Sequence, residues 1–363
     1  MLYIIYVDFS KAYDRVPRNA LIEALKTLGC GVTMVLAVGA MYSNTQLILG
    51  TAIITAAIGV RQGSPTSCFL FTLYVNKLIE LLRSRCPNDG FLGWIHCLLL
   101  MDDTVIFATT RDKATRKVGV LVDFCEEAGM VINEEKTKFM VINGSPDDLR
   151  PIYNRNLAIH NCEKYIYLGA TFTQDGKIQS SIKAHCKMKA CHALKFKSFV
   201  SKNNDFPFWV KRTVMDAALL SSVFYGCEAW LCKQQQDPGQ LYTSAIKSLL
   251  SVRRTTPNDL CLVEIGYPTV VGYVRGIQHS FYSNIIRSRK DMTDDPFWVV
   301  WTMVNEANTP CAKYINQLLN EDDPRAGDLR KLKHRIRASD ATKPSTYRTD
   351  MNPELEVHTA YTT

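Results

Sequence analysis

Three acidic residues stand where the surrounding chain gives a carboxylate little structural reason to be. Asp8 closes the apolar run Leu2-Tyr3-Ile4-Ile5-Tyr6-Val7. Asp102 and Asp103 are adjacent, between Leu98-Leu99-Leu100-Met101 and Val105-Ile106-Phe107-Ala108. Like charges side by side, flanked by runs that read as buried strand, cost free energy unless a cation neutralises them. A pair of divalent ions does so, and three carboxylates on neighbouring strands form the usual two-metal arrangement for in-line phosphoryl transfer. Oxygen-only ligands suit Mg²⁺, with Mn²⁺ as a substitute. The bland alternative is an acidic hairpin turn and an unrelated strand end, because aspartate is common in turns. On the acids alone both readings stand.

The elements that must position these acids alternate between strand and helix. Leu2–Val7 is predicted as a buried strand, Ala20–Leu28 as a helix, and Gln46–Leu49 and Ala52–Ile58 as strands. Cys68–Leu82 repeats leucine at helical spacing. Trp94–Leu100 and Thr104–Thr109 read as a hairpin about Asp102-Asp103. Lys113–Ala128 is predicted as a helix ended by Gly129, and Phe139–Ile142 as a further strand. Strands mixed with helices around a central hairpin predict an α+β fold. From about Lys177 the pattern is helical and basic. Ile182, Cys186, Ala190, Ala193 and Val200 form one apolar stripe, with Lys183, Lys187, Lys195 and Lys197 around it. Further helices are expected over Val210–Leu231 and Gln240–Ser251. After Asn320 large apolar residues thin out, which predicts a disordered tail.

Composition bounds the rest. A chain of 363 residues with 47% hydrophobic content builds more than one core. Its 43 basic against 35 acidic residues give +8, a weak pointer to a polyanionic partner. The 12 cysteines are scattered singly, as buried free thiols are. Cys186, Cys191 and His192 match no closed zinc pattern and read as helix packing. The first residues lack a basic start and run straight into Asp8, unlike a secretory leader. The best candidate for a membrane span, Val214 to Leu231, is interrupted by Asp216 and Glu228. An intracellular protein of cytoplasm or nucleus, with no membrane partner, is expected.

Five motifs, in order, decide between the two readings of the acids. Val7-Asp8-Phe9-Ser10-Lys11-Ala12-Tyr13-Asp14-Arg15-Val16-Pro17 resembles the first polymerase motif of reverse transcriptases. Gly59-Val60-Arg61-Gln62-Gly63-Ser64-Pro65 is similar to the second, and Leu100-Met101-Asp102-Asp103 to the third. Asn133-Glu134-Glu135-Lys136-Thr137-Lys138 resembles the fourth, and Tyr165-Ile166-Tyr167-Leu168-Gly169 the fifth. The distal run Tyr225-Gly226-Cys227-Glu228-Ala229-Trp230 is also similar to non-LTR (LINE-type) retrotransposons, so the resemblance reaches about residue 320.

The resemblance implies a reverse-transcriptase palm, an antiparallel sheet backed by helices, over 1–175. A helical thumb and C-terminal extension would follow over 176–320, then the tail at 321–363. It implies an RNA-directed DNA polymerase acting on an RNA template, a DNA primer and deoxynucleoside triphosphates. Asp8, Asp102 and Asp103 would hold two Mg²⁺ ions, with an oxygen from the Phe9 carbonyl. Tyr13 would be the steric gate under the incoming sugar, and Arg61, Gln62 and Gly63 would meet the nucleotide and template. Lys136 or Lys138 would protonate departing pyrophosphate, and Leu168-Gly169 would belong to the primer grip. Lys183, Lys187 and Lys195 would track the duplex backbone. Two departures matter. Leu100 stands where the family usually carries an aromatic. Met1 lies just ahead of the first motif, so the chain is expected to lack the fingers and to polymerise poorly. The rivals are a catalytically incompetent nucleic-acid-binding remnant and a metal-dependent hydrolase using the same acids.

Overall fold

The apolar run before Asp8 is strand β1 (Leu2–Val7), almost wholly buried because strands flank it on both sides. The computed structural model describes residues 1–43, 45–61, 63–91, 93–231, 236–292 and 295–341. The chain divides into two compact units: Met1–Leu168 with Phe172–Gly176, and Gly169–Thr171 with the chain from Lys177 onward.

In the first unit β1 is followed by α1 (Ala12–Arg15), α2 (Arg18–Thr27), α3 (Val32–Ser43), the paired strands β2 (Gln46–Leu49) and β3 (Ala52–Thr55), and α4 (Pro65–Arg85). Then come β4 (Cys97–Leu100), β5 (Asp103–Ala108), α5 (Arg111–Ala128), β6 (Lys138–Ile142), β7 (Ile152–Asn154) and β8 (Leu157–Asn161). β9 (Lys164–Tyr167) pairs with β10 (Ala170–Thr173) in a separate two-stranded sheet.

The main sheet has the order β4-β5-β1-β6-β8-β7. Its pairs are antiparallel except β6 and β8, which run parallel. The sheet is therefore chiefly antiparallel and backed by helices, as expected, with one parallel pair. The cause is topological: β7 and β8 form a hairpin whose second strand docks beside β6, so the chain reverses twice before it pairs.

One face of the sheet carries Tyr3, Ile5, Ile106, Phe139 and Val141, packed with Leu70, Phe71 and Leu78 of α4 and Val118, Leu121 and Phe124 of α5. Burying each such large side chain contributes roughly 1.5–3 kcal/mol. The opposite face carries Ile4, Tyr6, Val105 and Met140, covered in part by Tyr165 and Tyr167. α5 is delimited as its sequence requires. The Thr110 hydroxyl accepts the Lys113 amide at its start, and Gly129 at φ +63 ends it.

A charge interrupts this core. Lys117 of α5 is 0% exposed, and its Nζ donates to the carbonyls of Asp89 at 2.8 Å and Phe107 at 2.6 Å. Burial lowers its pKa to about 8. Asp89, itself buried, faces Arg116 at 3.2 Å and Lys113 at 3.6 Å. The two Lys117 bonds tie α5 to the segment after α4 and to β5, the strand that opens with Asp103.

The second unit is helical: α6 (Ile178–Lys202), α7 (Phe208–Val214), α8 (Ser221–Val223), α9 (Gln236–Leu249), α10 (Asn258–Glu264), α11 (Val270–Arg289), α12 (Pro296–Glu306), α13 (Pro310–Leu319) and α14 (Pro324–Ala341). The single helix expected over Val210–Leu231 is broken. A π-helical segment, Met215–Leu220, separates α7 from α8, and Gly226 at φ +75 turns the chain into a 3₁₀ turn at Cys227–Ala229. The expected disordered tail from 321 is also corrected, since α14 occupies its first part. Leu332 is fully buried there with Leu329 beside it, and the Asp328 carboxylate accepts the Thr269 amide at 2.7 Å. A few apolar residues at helical spacing suffice to dock an otherwise polar helix. The tail beyond 341 lies outside the described residues. Among those residues no helix is long and apolar enough to cross a membrane.

Candidate active site

The register of the sheet brings the acids together. Tyr6 pairs with Val105 and Val7 with Thr104, so one further step sets Asp8 opposite Asp103. β4 and β5 pair from Leu100↔Asp103, leaving Met101 (φ +56) and Asp102 as the turn. Strand side chains alternate between faces, so Asp8 and Asp103 share the face of Tyr6 and Val105, away from α4 and α5. The Asp103 carboxyl is pushed above its ordinary range, first by burial, then by the charges of Asp102 and Asp8. Negative charge therefore gathers at one end of the sheet.

The backbone adds a fourth oxygen. The Ser10 amide donates to the Val131 carbonyl at 2.8 Å, and the Asp8 carbonyl accepts the Asn133 amide at 2.8 Å. Those bonds point to the β6 side of the strand, so the Phe9 carbonyl between them points to the β5 side, where Asp103 lies. An all-oxygen, net-negative donor set fits a hard divalent cation in type and charge. Among the described residues, however, no three His, Cys, Asp or Glu side chains converge closely enough to hold an ion in this conformation. The acids share an electric field without sharing a point.

The fourth motif clamps the end of β1. Thr137 is fully buried, and its Oγ1 accepts the Asp8 amide at 3.1 Å. Lys136 Nζ lies 3.8 Å from Asp8 Oδ1 on a side chain that is 69% exposed. The fifth motif supports the same loop. The Tyr165 hydroxyl donates to the Lys136 carbonyl at 3.4 Å, and its ring stacks on Tyr6 with centroids 4.0 Å apart. Burial and then the charges of Asp8 and Asp103 push the Tyr165 phenol up to about 12. Thr137, Tyr165 and Tyr167 lie within the fourth and fifth motifs, but the sequence assigned none of them a role. Tyr165 carries a signal in the alternation of Tyr165-Ile166-Tyr167; Thr137, one more polar residue in a polar loop, carries none.

Tyr13 sits on α1, half-buried, its ring stacked on Phe71 of α4 at 4.8 Å. Its phenol is pushed up to about 12 by burial, by a hydrogen bond with Cys68 and by the charge of Asp102. The second motif is laced to the first. The Val60 amide donates to the Tyr13 carbonyl at 2.8 Å, and the Gly59 amide to Val16 at 2.9 Å. Gly59 adopts φ +85, and a Cβ there would stand 2.9 Å from the Asp14 carbonyl oxygen, so only glycine fits. Gly63 also has positive φ, but around it a Cβ would meet nothing within 4 Å. Arg61 donates to the Met41 carbonyl at 3.0 Å and lies over the Tyr42 ring. Gln62 lies outside the described residues. Arg18, which sequence reasoning passed over, holds this loop by donating to the carbonyls of Gly59, Tyr42 and Ala56.

Leu168 (φ +49) and Gly169 (φ +78) form the turn between β9 and β10. A Cβ on Gly169 would meet the Tyr225 ring at 3.0 Å. In the second unit, Lys183, Lys187 and Lys195 are exposed on α6 and make no ion pair among the described residues.

Comparison with known proteins agrees with the motifs. The family model for reverse transcriptase (RNA-dependent DNA polymerase) matches residues 2–172. The chain is 25% identical over 191 residues to the retrovirus-related Pol polyprotein from type-2 retrotransposable element R2DM of Drosophila melanogaster, covering 49% of this chain and 18% of that protein. It is 23% identical over 279 residues to a putative 115 kDa protein in type-1 retrotransposable element R1DM of the same organism, covering 72% of this chain and 26% of that protein. Among solved structures, apo telomerase from Candida tropicalis aligns with 99% of this chain and 53% of its own at a TM-score of 0.38 and 11% identity. The matches to the two retrotransposon proteins thus span about a quarter or less of their lengths. Residues 2–172 thus match a reverse transcriptase domain, and the relatives they resemble are proteins of retrotransposable elements.

Proposed function

We propose that the chain is the catalytic core of an RNA-directed DNA polymerase. It would join a deoxynucleoside triphosphate to the 3′-hydroxyl of a DNA primer lying on an RNA template. The observation that carries this reading is the gathering of Asp8, Asp102 and Asp103 at one end of the sheet, with Asp102 within the electrostatic reach of Tyr13. Asp8 and Asp102, with Asp103 and the Phe9 carbonyl, would hold two Mg²⁺ ions, or Mn²⁺ in their place. Those ions, when bound, supply Lewis acidity to the attacking and leaving oxygens. The chain's own residues orient the reactants. Thr137 and Asn133 fix the Asp8 backbone, and Lys136 stands beside Asp8 with a free approach from solvent. Tyr13 presents a ring, backed by Phe71, against the sugar of the incoming nucleotide. The open space at Gly63 leaves its backbone accessible to the nucleotide and template.

The test is extension of an oligo(dT) primer on poly(rA) with dTTP and Mg²⁺ or Mn²⁺, with Asp102→Ala alongside. Extension lost in the variant supports the assignment, and extension that survives it refutes it. Cleavage of a duplex without deoxynucleotides, also lost in Asp102→Ala, would favour a hydrolase instead.

A further inference from the structure

Residues 27–60 hold no Asp, Glu, Lys, Arg or His, although 43 basic and 35 acidic residues are spread over the rest of the chain. A run so apolar ordinarily folds inside. Here it builds α3, β2 and β3, and much of it faces water. Val32, Leu36, Ile48, Ile53 and Ile58 are each 59–76% exposed.

The helix and the hairpin present this surface together. α3 buries Val35, Val38 and Tyr42 and turns Leu36, Ala37 and Ala40 outward on the opposite side. Ile48 and Ile53 stand directly opposite each other in the β2–β3 register, so they share one face of the hairpin. Arg18 Nη1 donates both to the Tyr42 carbonyl at 2.9 Å and to the Ala56 carbonyl at 2.5 Å, which holds the end of α3 beside the base of the hairpin. Among the described residues β2 and β3 pair only with each other. A two-stranded sheet is marginal in water by itself. Its outer edges carry neither the charges nor the proline that commonly keep other strands away.

The size of the surface limits what covers it. At roughly 60–120 Å² for a fully exposed aliphatic side chain, the five offer about 200–400 Å² of apolar area before their smaller neighbours are added. Two such faces set against each other bury about 400–800 Å², which reaches the apolar share of the smaller stable interfaces, about 700 Å² out of roughly 1,200 Å². A helix that lies on lipid carries lysine or arginine along its polar side, and α3 has neither. A chain with a net charge of +8 repels its own copies. A symmetric contact through this segment places neutral surface on neutral surface and takes no charge out of water.

We propose that the face formed by α3 and the β2–β3 hairpin joins two copies of this chain. The contact is independent of the polymerase reading and lies apart from the carboxylates.

The experiment is analytical ultracentrifugation of the full chain, treated with nuclease, over roughly 1–100 μM. The parent should pass from monomer to dimer with a dissociation constant on the order of 10 μM, as suits an interface of the smaller class. With no charge buried, that constant should change less than about twofold between low and moderate salt. Leu36→Glu/Ile48→Glu places carboxylates on two outward-facing positions and should weaken the dimer at least about tenfold. Leu194→Glu, at an exposed apolar position of α6, should leave it as in the parent. Melting curves establish that each variant is folded. A parent that stays monomeric throughout overturns the proposal, and so does a dimer that persists in the folded double variant. Flotation with phosphatidylcholine vesicles tests the lipid alternative. Capture of a monomeric parent that the double variant loses gives the face to lipid and overturns the proposal as well.

Discussion

Replacing Lys117 by methionine probes the join between α5 and the strand that carries Asp103. The ammonium is fully buried, and its pKa falls from 10.5 to about 8. That fall corresponds to roughly 3.4 kcal/mol between the two protonation states. Below about pH 8 both folded and unfolded chains hold the proton, and the folded state carries the whole cost of the buried charge. Between about pH 8 and 10.5 the folded chain sheds the proton first. The unfolded state then binds more protons, so stability rises with pH across that window. Methionine removes this titration, and it also strips the carbonyls of Asp89 and Phe107 of their donor. A buried carbonyl left bare costs about 1–3 kcal/mol. Near neutral pH the relief and the loss of about 2–6 kcal/mol for two carbonyls largely cancel, for a net change between roughly 1 kcal/mol of stabilisation and roughly 3 kcal/mol of destabilisation. Toward pH 10.5 the parent gains its roughly 3 kcal/mol and the variant does not, so the gap widens by that amount. Urea unfolding of both proteins across pH 7 to about 10.5 reads the difference directly. A gap that stays constant over the series refutes the buried-charge account.

Asp103→Asn should raise the melting temperature at neutral pH in metal-free buffer, because the Asp103 carboxyl is destabilised in its ionised form. That gain should vanish as pH falls through the carboxylate range, where the parent's carboxyl is protonated too, and stabilisation by Mn²⁺ should weaken in the variant. A parent and variant with the same melting curve at both pH values would contradict the crowding of charge. Gly59→Ala should cost roughly 1–2 kcal/mol for its positive φ and about 1–3 kcal/mol more for the contact with Asp14, measured as a lower urea midpoint; an unchanged midpoint means the loop has room to move. Thr137→Val should lose about 1 kcal/mol with its bond to the Asp8 amide, whereas Thr137→Ser keeps that bond; variants equal in stability and activity would assign it no role. Tyr13→Val should raise incorporation of ribonucleotides relative to deoxyribonucleotides in primer extension, and an unaltered ratio makes Tyr13 a packing residue.

What the sequence revealed and what it hid divide by the range of the interactions involved. β1 was legible because a strand paired on both sides and covered on both faces is apolar throughout, which makes Asp8 conspicuous. The Asp102-Asp103 hairpin was legible because its partners adjoin in sequence. α3 was not read as a helix: it is apolar on every side, with Val32 and Leu36 exposed, so it shows no period. The parallel pairing of β6 with β8 depends on which strand of a later hairpin docks, and no local pattern encodes that. The clamps on the site escaped for the same reason. Arg18 and Thr137 act through backbone atoms of Gly59 and Asp8, distant in sequence, and their own side chains follow no periodicity. The break at Met215–Leu220 was hidden inside a run whose composition suits an ordinary helix.

The geometry of the acids inherits its stability from the core beneath them. Ile5 pairs with Ile106 and Tyr3 with Ala108 on the helix-backed face, all fully buried. Tyr6 pairs with Val105 on the other. Sliding β5 by one residue would send every side chain on it to the opposite face. Val105 would turn toward the helices and Ile106 toward the tyrosines, into space shaped for other side chains. Losing the burial of even two such residues costs roughly 3–6 kcal/mol, comparable with the whole stability of many domains. The same slip would turn Asp103 away from Asp8. The apolar pattern of Leu2–Val7 and Thr104–Ala108, which carries no chemistry, is thus what sets two carboxylates opposite one another. The far edge of β1 is then free to receive Thr137 and Asn133, which hold the Asp8 backbone without competing for its carboxylate. Substitutions at Ile5 or Ile106 should therefore weaken Mn²⁺ stabilisation in proportion to the core packing they remove, although neither side chain faces the site. Ile106→Ala, at a cost of about 2–5 kcal/mol, is the sharper test. A variant that is destabilised by that amount yet keeps the parent's full Mn²⁺ response would show that the acids are positioned independently of the core.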